Sequence, residues 1–335
     1  CGGSNNSYYT MERFDPLNTG DDLANWGTNN GLITNGFSAD GSTPLLGTPK
    51  KRNSVNYQLS LSSQLSSDLT LKKSKSPYVI PDQEFTVEEN VTLTIEPGVV
   101  IKFGASDGTM LDIEGTILAE GSEDDPVIFT SFIDDAYGGD TNGDGICDPT
   151  DASSTAACPW PGSWRHIRIF SESEGSRFNH TIIRYGGKFF TWQNVGAKAL
   201  WVEDTDIELT NSVIEHSLLF GAYMVRSNSL IENNVFRFNK TGLLVADNSD
   251  MIIQENMFLE NERGLALSSG ESPTVLDNEF IGNTVVAAEY SGFGGMWQGN
   301  TAFENALDGI MLSSNFGGGD AITTLFKNPM PYILT

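Results

Sequence analysis

The sequence predicts an all-β solenoid, a rod of stacked coils built from short strands and tight turns. Two observations lead to this prediction. Residues 211 to 305 repeat at an interval of about 22 residues. The composition combines 35 Gly with frequent Asn and with apolar runs of Val, Ile, Phe and Thr, which favour turns and strands respectively.

The repeat is clearest in three columns that recur from copy to copy. The first column contains Asn211, Asn234, Asn256, Asn278 and Asn300. Two residues later come Val213, Phe236, Phe258, Phe280 and Ala302, and five residues after each Asn come His216, Asn239, Asn261, Asn283 and Asn305. One coil cannot bury its own apolar face, so coils must stack about 4.8 Å apart with parallel strand pairing. We expect the Phe column inside the rod and each Asn at a turn, bonded to backbone and to the Asn of the next coil.

This pattern resembles the right-handed parallel β-helix repeat family. Leucine-rich repeats have similar lengths, but they need a Leu-x-Leu framework that the sequence lacks. The resemblance covers residues 78 to 325, where "LTIEPGVVIKF", "GTILAEG" and "PVIFTS" look like the opening coils of β-helix proteins on bacterial surfaces. It implies about nine or ten coils and a rod of roughly 45 Å. The expected fold class is therefore all-β, a right-handed parallel β-helix with an insertion.

The segments outside the rod are interpreted from composition. Residues 1–50 are rich in Gly, Asn, Asp and Thr and are expected to form a tether with loosely packed loops. Residues 51–77 contain spaced leucines and are expected to cap the rod, either as a short helix or as a strand.

The last segment repeats an earlier one. Leu325, Lys327, Pro331 and Tyr332 match Leu71, Lys73, Pro77 and Tyr78 at a constant offset. Residues 326–335 are therefore interpreted as the start of a further module or as a strand for a neighbouring subunit, because an uncapped β-helix end invites strand pairing. The second interpretation predicts rods that stack end to end into a filament.

Charge and the first residue suggest a compartment. The 44 acidic and 19 basic residues give a net charge of −25, which disfavours nucleic acid and anionic lipid as partners. Cys1, followed by "GGSNNS", resembles the start of a mature bacterial lipoprotein. That resemblance implies a lipid on Cys1, a location at the bacterial cell surface or outer membrane, and membrane contact only through the lipid. The alternative is a chain boundary that happens to fall at a Cys.

An insertion from about 133 to 163 interrupts the coils, and it contains "DTNGDGICDPTD". Positions 1, 3, 5, 7, 9 and 12 of this stretch supply oxygen donors, and Gly145 stands at position 6, where the chain must turn sharply. The six donors are Asp140, Asn142, Asp144, Ile146 through its carbonyl, Asp148 and Asp151. Hard oxygen donors in this number suit Ca²⁺ better than Mg²⁺. The alternative is an Asp/Gly-rich surface turn.

The loop resembles EF-hand, dockerin and thrombospondin type 3 calcium loops. It departs from the EF-hand because Asp151 stands where Glu is usual and because the flanks lack a helical pattern. Cys147 and Cys158 are expected to form a disulfide in an exported protein, which would contribute up to about 3 kcal/mol by loop entropy. Metal and disulfide together would order an insertion with few apolar residues, so the predicted calcium site is structural.

Signals for chemistry are weaker. Many β-helix proteins are polysaccharide lyases, which need a base and a cation beside the uronate carboxylate, or hydrolases, which need paired carboxylates. The catalytic candidates are His180, Arg184 and Lys188, together with His166, Tyr185 and His216, of which His216 is interpreted as a turn residue replacing Asn. Trp192, Trp201 and Tyr185 either stack on sugar rings or cap the core under the insertion.

The function expected from the sequence is that of a calcium-stabilised β-helix at the cell surface. Its role would be structural, adhesive or glycan-binding, with self-assembly end to end. The alternative is a polysaccharide lyase or glycoside hydrolase that acts on acidic polysaccharide.

Overall fold

The structure is a computed structural model. It describes residues 10–13, 26–28, 47, 63–81, 84–104, 108–142, 144–148, 156–170, 173–189, 197–247, 249–268, 272–292, 295–312, 325 and 327–334. Cys1, Asp151 and Trp192 lie outside these ranges, so the expectations about them are not addressed by the structure. A short 3-10 helix spans Lys73–Lys75, and in the described part of the chain no helix is long and apolar enough to cross a membrane.

The strands are short, with two to six residues each. The first half of the chain contains β1 (Met11–Arg13), β2 (Trp26–Thr28), β3 (Gln64–Leu65), β4 (Leu69–Leu71), β5 (Tyr78–Ile80), β6 (Glu84–Val87), β7 (Thr92–Ile95), β8 (Val100–Phe103), β9 (Met110–Ile113), β10 (Thr116–Glu120), β11 (Val127–Ser131), β12 (Ile167–Ile169), β13 (Arg177–Asn179) and β14 (Thr181–Arg184). The second half contains β15 (Lys198–Glu203), β16 (Glu208–Thr210), β17 (Val213–Glu215), β18 (Phe220–Val225), β19 (Leu230–Glu232), β20 (Val235–Arg237), β21 (Thr241–Ala246), β22 (Ile252–Gln254), β23 (Met257–Leu259), β24 (Arg263–Leu267), β25 (Thr274–Leu276), β26 (Glu279–Ile281), β27 (Val286–Tyr290), β28 (Met296–Gln298), β29 (Thr301–Phe303), β30 (Ile310–Leu312) and β31 (Tyr332–Leu334).

Three long parallel sheets form the faces of the rod. Sheet 1 has 11 strands in the order β3-β6-β9-β12-β15-β18-β21-β24-β27-β30-β31. Sheet 2 has nine, β4-β7-β10-β13-β16-β19-β22-β25-β28, and sheet 3 has nine, β5-β8-β11-β14-β17-β20-β23-β26-β29. Each coil gives one strand to each sheet in turn, so every strand pairs with the strand one coil away. This is the parallel β-helix that the repeat predicts. The strands β1 and β2 form a separate antiparallel pair.

Aromatic stacking fills the interior of the later coils. The rings of Phe236 and Phe258 lie 5.1 Å apart and those of Phe258 and Phe280 lie 4.8 Å apart, with interplanar angles of 9° and 7°. All three side chains are fully buried. The predicted Phe column inside the rod is confirmed.

Buried asparagines connect the coils at the turn between sheets 2 and 3. The Asn256 amide Nδ2 donates to the Ile231 carbonyl at 2.8 Å and to the Asn278 Oδ1 at 3.0 Å. Its own Oδ1 accepts the Asn234 backbone N–H at 2.9 Å. Asn239, Asn261, Asn283 and Asn305 form a second ladder of this kind after sheet 3. The predicted role of the Asn column is therefore confirmed.

The first copy of the repeat is one residue out of register in the sequence alignment. Ser212, and not Asn211, holds the ladder position, because its N–H donates to the Asn234 Oδ1 at 2.9 Å. Ile214, and not Val213, pairs with Phe236. Asn211 instead lies in an exposed turn with φ +50°.

The same correction moves His216 out of the second Asn column. The Ser217 N–H donates to the Asn239 Oδ1 at 2.9 Å, so Ser217 holds that position. His216 lies one residue earlier, in a left-handed turn with φ +54°, and it stacks on Phe238 at 4.9 Å. His216 is a turn residue, as expected, but it does not replace Asn.

The ends of the rod also differ from the sequence boundaries. The first coil starts at β3, inside the segment expected to cap the rod, and this segment contributes strands to sheets 1 and 2. Tyr332–Leu334 pairs in parallel with Ile310–Leu312 of the same chain, in sheet 1. Tyr78–Ile80, the earlier match, lies in sheet 3. The two similar segments therefore occupy different places, and pairing with another molecule stays a prediction.

Candidate functional site

A row of polar and aromatic side chains crosses the outer face of sheet 1. Asp112 in β9, Arg168 in β12, Trp201 in β15 and Tyr223 in β18 are direct neighbours across four successive coils. Strand residues alternate between the two faces of a sheet, and the residues that precede these four are fully buried in the core. The four side chains therefore point away from the core. Together with His166, Lys198 and Glu203, they are called the sheet 1 cluster below.

Lys198 lies at the centre of the cluster. Its Nζ is 3.5 Å from the centroid of the Trp201 ring and 4.7 Å from that of Tyr223. The residue is only 3% exposed, and among the described residues Nζ has no hydrogen-bond partner. Burial, and then the positive charge of Arg168, lower the pKa of Lys198 from its usual 10.5 to about 7. The Lys198 amine therefore titrates close to neutral pH, far below the range of an exposed lysine.

Arg168 and His166 contact the same tryptophan. The Arg168 guanidinium lies 3.9 Å from the Trp201 ring centroid and donates to Glu203 at 2.6 Å. The His166 ring meets Trp201 edge-on at 5.7 Å. His166 Nε2 is 3.6 Å from Asp112 Oδ1, which is longer than a hydrogen bond. Burial lowers the pKa of His166, although Asp112 opposes the shift.

Several polar atoms of the cluster are buried without a partner in the part of the chain that the structure describes. The donors are Lys198 Nζ, Trp201 Nε1 and Arg168 Nε, and the acceptor is Asp112 Oδ1. An unsatisfied buried polar group costs about 1–3 kcal/mol and is rare enough to require an explanation. Three donors beside one acceptor have the chemistry to bind an anion such as a carboxylate.

The three catalytic candidates from the sequence do not come together. His180 precedes β14 in a left-handed turn with φ +45°, whereas Lys188 follows the other end of that strand. Arg184 ends β14 and takes part in ion pairs, with its Nε 3.1 Å from Glu215 and 3.7 Å from Asp134. The structure supports a packing role for Arg184, and it gives no shared site for the three residues.

The tryptophans in and near the insertion differ in burial. Trp164 is fully buried, stacks on Phe103 at 4.1 Å and donates its Nε1 to the Arg184 carbonyl at 2.8 Å. It caps the core under the insertion. Trp160 is 50% exposed. Trp201 is buried between Lys198 and Arg168, so it is not an open platform for a sugar ring.

The insertion folds around several of the predicted metal ligands. The Asp140 carboxylate accepts the Gly145 N–H at 3.3 Å, and the Asp144 carboxylate accepts the Ala157 N–H at 2.9 Å. Asn142 Oδ1 is buried with no partner in the described ranges. Within those ranges no three His, Cys, Asp or Glu side chains form a group ready to hold a metal. The predicted ligand set also includes the Asn142 side chain and the Ile146 carbonyl, which are ligands of other types.

Asp135 is a further acidic residue at this loop. Its Oδ2 accepts the Cys147 N–H at 2.8 Å, and its Oδ1 is buried without a partner among the described residues. Burial raises the pKa of Asp135, and the negative charges of Asp140 and Asp144 add to the rise. Sequence reasoning missed Asp135 because it lies five residues before the loop motif begins.

Two contacts fasten the insertion. Cys147 and Cys158 form the predicted disulfide, with a Cα–Cα distance of 5.0 Å. The buried Lys102 ammonium donates to the Asp134 carbonyl at 2.8 Å and to the Gly139 carbonyl at 2.6 Å, which connects β8 to the start of the insertion.

Sequence reasoning also missed Asp112, Arg168 and Lys198. The available signal was a charged residue inside an otherwise apolar strand, as in "MLDI", "IRI" and "KALWV". Burying a charged residue in a strand costs free energy unless the charge is paired or hydrogen-bonded. Stacking of the coils is what brings them together.

Comparison with known proteins supports the fold. A family described as "Right handed beta helix region" matches residues 177–323, less than half of the chain. The solenoid is therefore the right-handed parallel β-helix that was predicted. No curated protein matches. Among solved structures, the crystal structure of a mutant of the periplasmic alginate epimerase AlgG is 15% identical, with a TM-score of 0.41, covering 76% of this chain and 70% of that chain. A similarity of this size says nothing about function.

Proposed function

We propose that the protein binds an acidic polysaccharide on the outer face of sheet 1. The observation that carries this proposal is the buried Lys198 ammonium, which has no hydrogen-bond partner among the described residues and lies between Trp201 and Tyr223. The donors of the sheet 1 cluster have no exposed surface in the structure, so the proposal requires the side chains over them to move. A uronate carboxylate would then accept hydrogen bonds from Lys198 and from the unpaired donors of Arg168 and Trp201. Charge-assisted bonds of this kind are about twice as strong as neutral ones.

A second candidate function is cleavage or inversion of the same polymer by proton abstraction. The specific observation is the lowered pKa of Lys198, about 7, because a general base works best when its pKa is near the working pH. Arg168 would neutralise the uronate carboxylate while the neutral Lys198 amine removed the proton on the adjacent carbon. The resulting carbanion would either expel the neighbouring glycosidic oxygen, which takes a proton from water as the C–O bond breaks, or regain a proton from water on the opposite face. Catalysis would then rise as pH increases through 7, whereas binding by the Lys198 ammonium would weaken over the same range.

Binding should be tested by calorimetry with polygalacturonate, alginate and hyaluronan, while ultraviolet absorbance follows unsaturated products. We expect Arg168→Met to weaken binding of the best polymer by about tenfold or more, a loss of ~1.4 kcal/mol. Arg177→Met, at an exposed basic residue on sheet 2, is the matched control and should change affinity little. Equal affinity of wild type and Arg168→Met, or no binding to any acidic polymer, would show the proposal to be wrong.

We also propose that the insertion binds Ca²⁺ as a structural ion. The ligands would be Asp140, Asn142, Asp144, the Ile146 carbonyl, Asp148 and Asp151, with Asp135 in addition. Buried oxygens of Asn142 and Asp135 that have no partner in the described ranges support this assignment, because a cation would satisfy both. The crowding of Asp135 with Asp140 and Asp144 would also be relieved by a divalent cation.

Removal of calcium should loosen the insertion. Bound metal stabilises the folded state by mass action, about 2.7 kcal/mol at a hundredfold excess over Kd, so EDTA should lower the Tm and speed protease cleavage within residues 133–163. Asp144→Ala should mimic EDTA, whereas Asp124→Ala, an exposed acidic residue outside the insertion, should not. Scanning calorimetry and limited proteolysis measure both effects. If EDTA changes neither, the insertion holds no structural calcium.

The disulfide fits a protein that works outside the cytoplasm, because disulfides persist in oxidising compartments. In this proposal the rod contacts acidic polysaccharide at the bacterial surface, in a binding or adhesive role. If the protein binds the polymer but the ultraviolet assay detects no unsaturated product, the binding serves adhesion and not cleavage.

A further inference from the structure

The disulfide of the insertion joins the two segments that hold acidic side chains in place. The Cys147 N–H donates to the Asp135 carboxylate at 2.8 Å. The N–H of Ala157, the residue before Cys158, donates to the Asp144 carboxylate at 2.9 Å. Each half of the disulfide therefore lies at or next to a backbone donor that orients one of the carboxylates proposed to bind calcium.

The two segments have little else to hold them together. Residues 144–148 and 156–158 contain no helix, no strand and no buried side chain, and Ile146 is 66% exposed. The segments lie side by side, because a Cβ added at Gly145 would be 3.6 Å from the Ala156 Cβ. The covalent bond is therefore a strong constraint on their separation.

The carboxylates held in this way carry like charges. Burial raises the pKa of Asp135, and the nearby charges of Asp140 and Asp144 raise it further. Repulsion between these groups favours a loop that opens when no cation is present. A cross-link keeps the carboxylates close together, so less conformational freedom is lost when a cation binds.

We propose that the Cys147–Cys158 disulfide is a positioning element for the calcium site, so that the insertion binds Ca²⁺ tightly only when the disulfide is formed. This inference rests on the proposed calcium binding. Reduction breaks the S–S bond with two electrons and two protons, which leaves two thiols and releases residues 156–158 from residues 144–148. The calcium site would then be complete only in an oxidising compartment.

The alternative is a disulfide that stabilises the insertion without acting on calcium. The two roles can be distinguished because coupling between binding events is reciprocal. If disulfide formation strengthens calcium binding by a given factor, saturating calcium must make the disulfide harder to reduce by the same factor. A disulfide without this coupling changes the Tm in the absence of calcium, and it leaves the Kd for Ca²⁺ unchanged.

The first test measures calcium affinity by titration calorimetry with the full chain and calcium chloride. Cys147→Ala/Cys158→Ala removes the cross-link and keeps the backbone N–H groups that donate to the two carboxylates. This double variant should bind Ca²⁺ about ten- to hundredfold more weakly than wild type. Ile146→Ala is the matched control, because it removes an exposed side chain of the same loop and keeps the carbonyl. Its Kd should stay within about twofold of the wild-type value.

The second test needs no variant, so it is decisive even if the double variant does not fold by far-UV circular dichroism. Wild type is equilibrated with dithiothreitol, whose two thiols are oxidised to a cyclic disulfide as the protein disulfide is reduced. Thiol labelling and mass spectrometry measure the reduced fraction of Cys147 and Cys158. Saturating calcium chloride should shift this equilibrium toward the protein disulfide about ten- to hundredfold.

The outcomes separate the positioning role from calcium binding itself. If wild type binds Ca²⁺ and the folded double variant has the same Kd, the positioning role is wrong and the calcium site stands. A reduction equilibrium that calcium does not change leads to the same conclusion. If oxidised wild type binds no Ca²⁺, the proposed calcium site and the inference built on it both fail.

Discussion

Phe258→Ala is expected to lower the free energy of unfolding by about 3 to 5 kcal/mol. Phe258 is fully buried between Phe236 at 5.1 Å and Phe280 at 4.8 Å, so its loss removes two stacking contacts and leaves a cavity. Each coil of a solenoid contacts only its neighbours, and the cavity therefore weakens both interfaces of one coil. Denaturant titration followed by circular dichroism measures the change.

Phe238→Ala is the matched control for this experiment. The same side chain is removed in the previous coil, but from an exposed position, where substitutions usually change stability by less than about 0.5 kcal/mol. Equal costs for Phe258→Ala and Phe238→Ala would contradict the aromatic interior of the rod. A second unfolding transition in Phe258→Ala alone is also consistent with a broken interface, since repeat arrays lose cooperativity locally.

The fold was predictable because every coil has the same buried turn, whose backbone groups must be hydrogen-bonded in the same way. A buried turn position needs a side chain that bonds both to backbone and to its own copy one coil away, and Asn does this at Asn234, Asn256 and Asn278. The error at Asn211 has the same origin. Ser212 bonds to the next coil with its backbone N–H, which needs no Asn side chain at this position. Because the adjacent residue is Asn211, the sequence pattern placed Asn211 in the Asn column in place of Ser212.

The sheet 1 cluster was not predictable in the same way. Asp112, Arg168 and Lys198 lie far apart in the sequence, and the insertion between β11 and β12 breaks the 22-residue interval that would have aligned them. Their strands also precede the coils in which the Asn columns mark the repeat. The predicted site residues were chosen by chemical type, whereas the cluster depends on coil register and on burial, which only the structure supplies.

Lys198→Met is expected to stabilise the protein at neutral pH by about 1 to 4 kcal/mol. The folded structure buries the Lys198 ammonium without a hydrogen-bond partner among the described residues, and burying a charge in this way is costly. Met has a similar length and no charge, so it keeps the packing against Trp201 and Tyr223 but loses the cation–π attraction of the ammonium to both rings. Lys240→Met, at an exposed position with an ion-pair distance of 4.0 Å to Glu262, is the control and should have little effect.

The pH dependence of this gain follows from the lowered pKa of Lys198. Between about 7, the folded value, and 10.5, the usual value, the unfolded chain holds a proton that the folded chain has released. Wild-type stability therefore rises with pH across this window, while the Met variant lacks this contribution. The advantage of Lys198→Met should be full at pH 7 and below, and it should disappear as pH approaches 10.5. Urea titrations at pH 6, 8 and 10 measure it.

The same variant connects stability with the proposed function. If the unpaired ammonium is retained to bind a carboxylate, Lys198→Met should weaken binding of the best acidic polymer about a hundredfold, ~2.7 kcal/mol, while the fold becomes more stable. A binding site that destabilises its own fold is a common compromise between stability and activity. A variant that is less stable than wild type at pH 6 would show instead that the charge is satisfied within the protein. In that case the sheet 1 cluster is a structural feature, and the proposed binding of polysaccharide there is wrong.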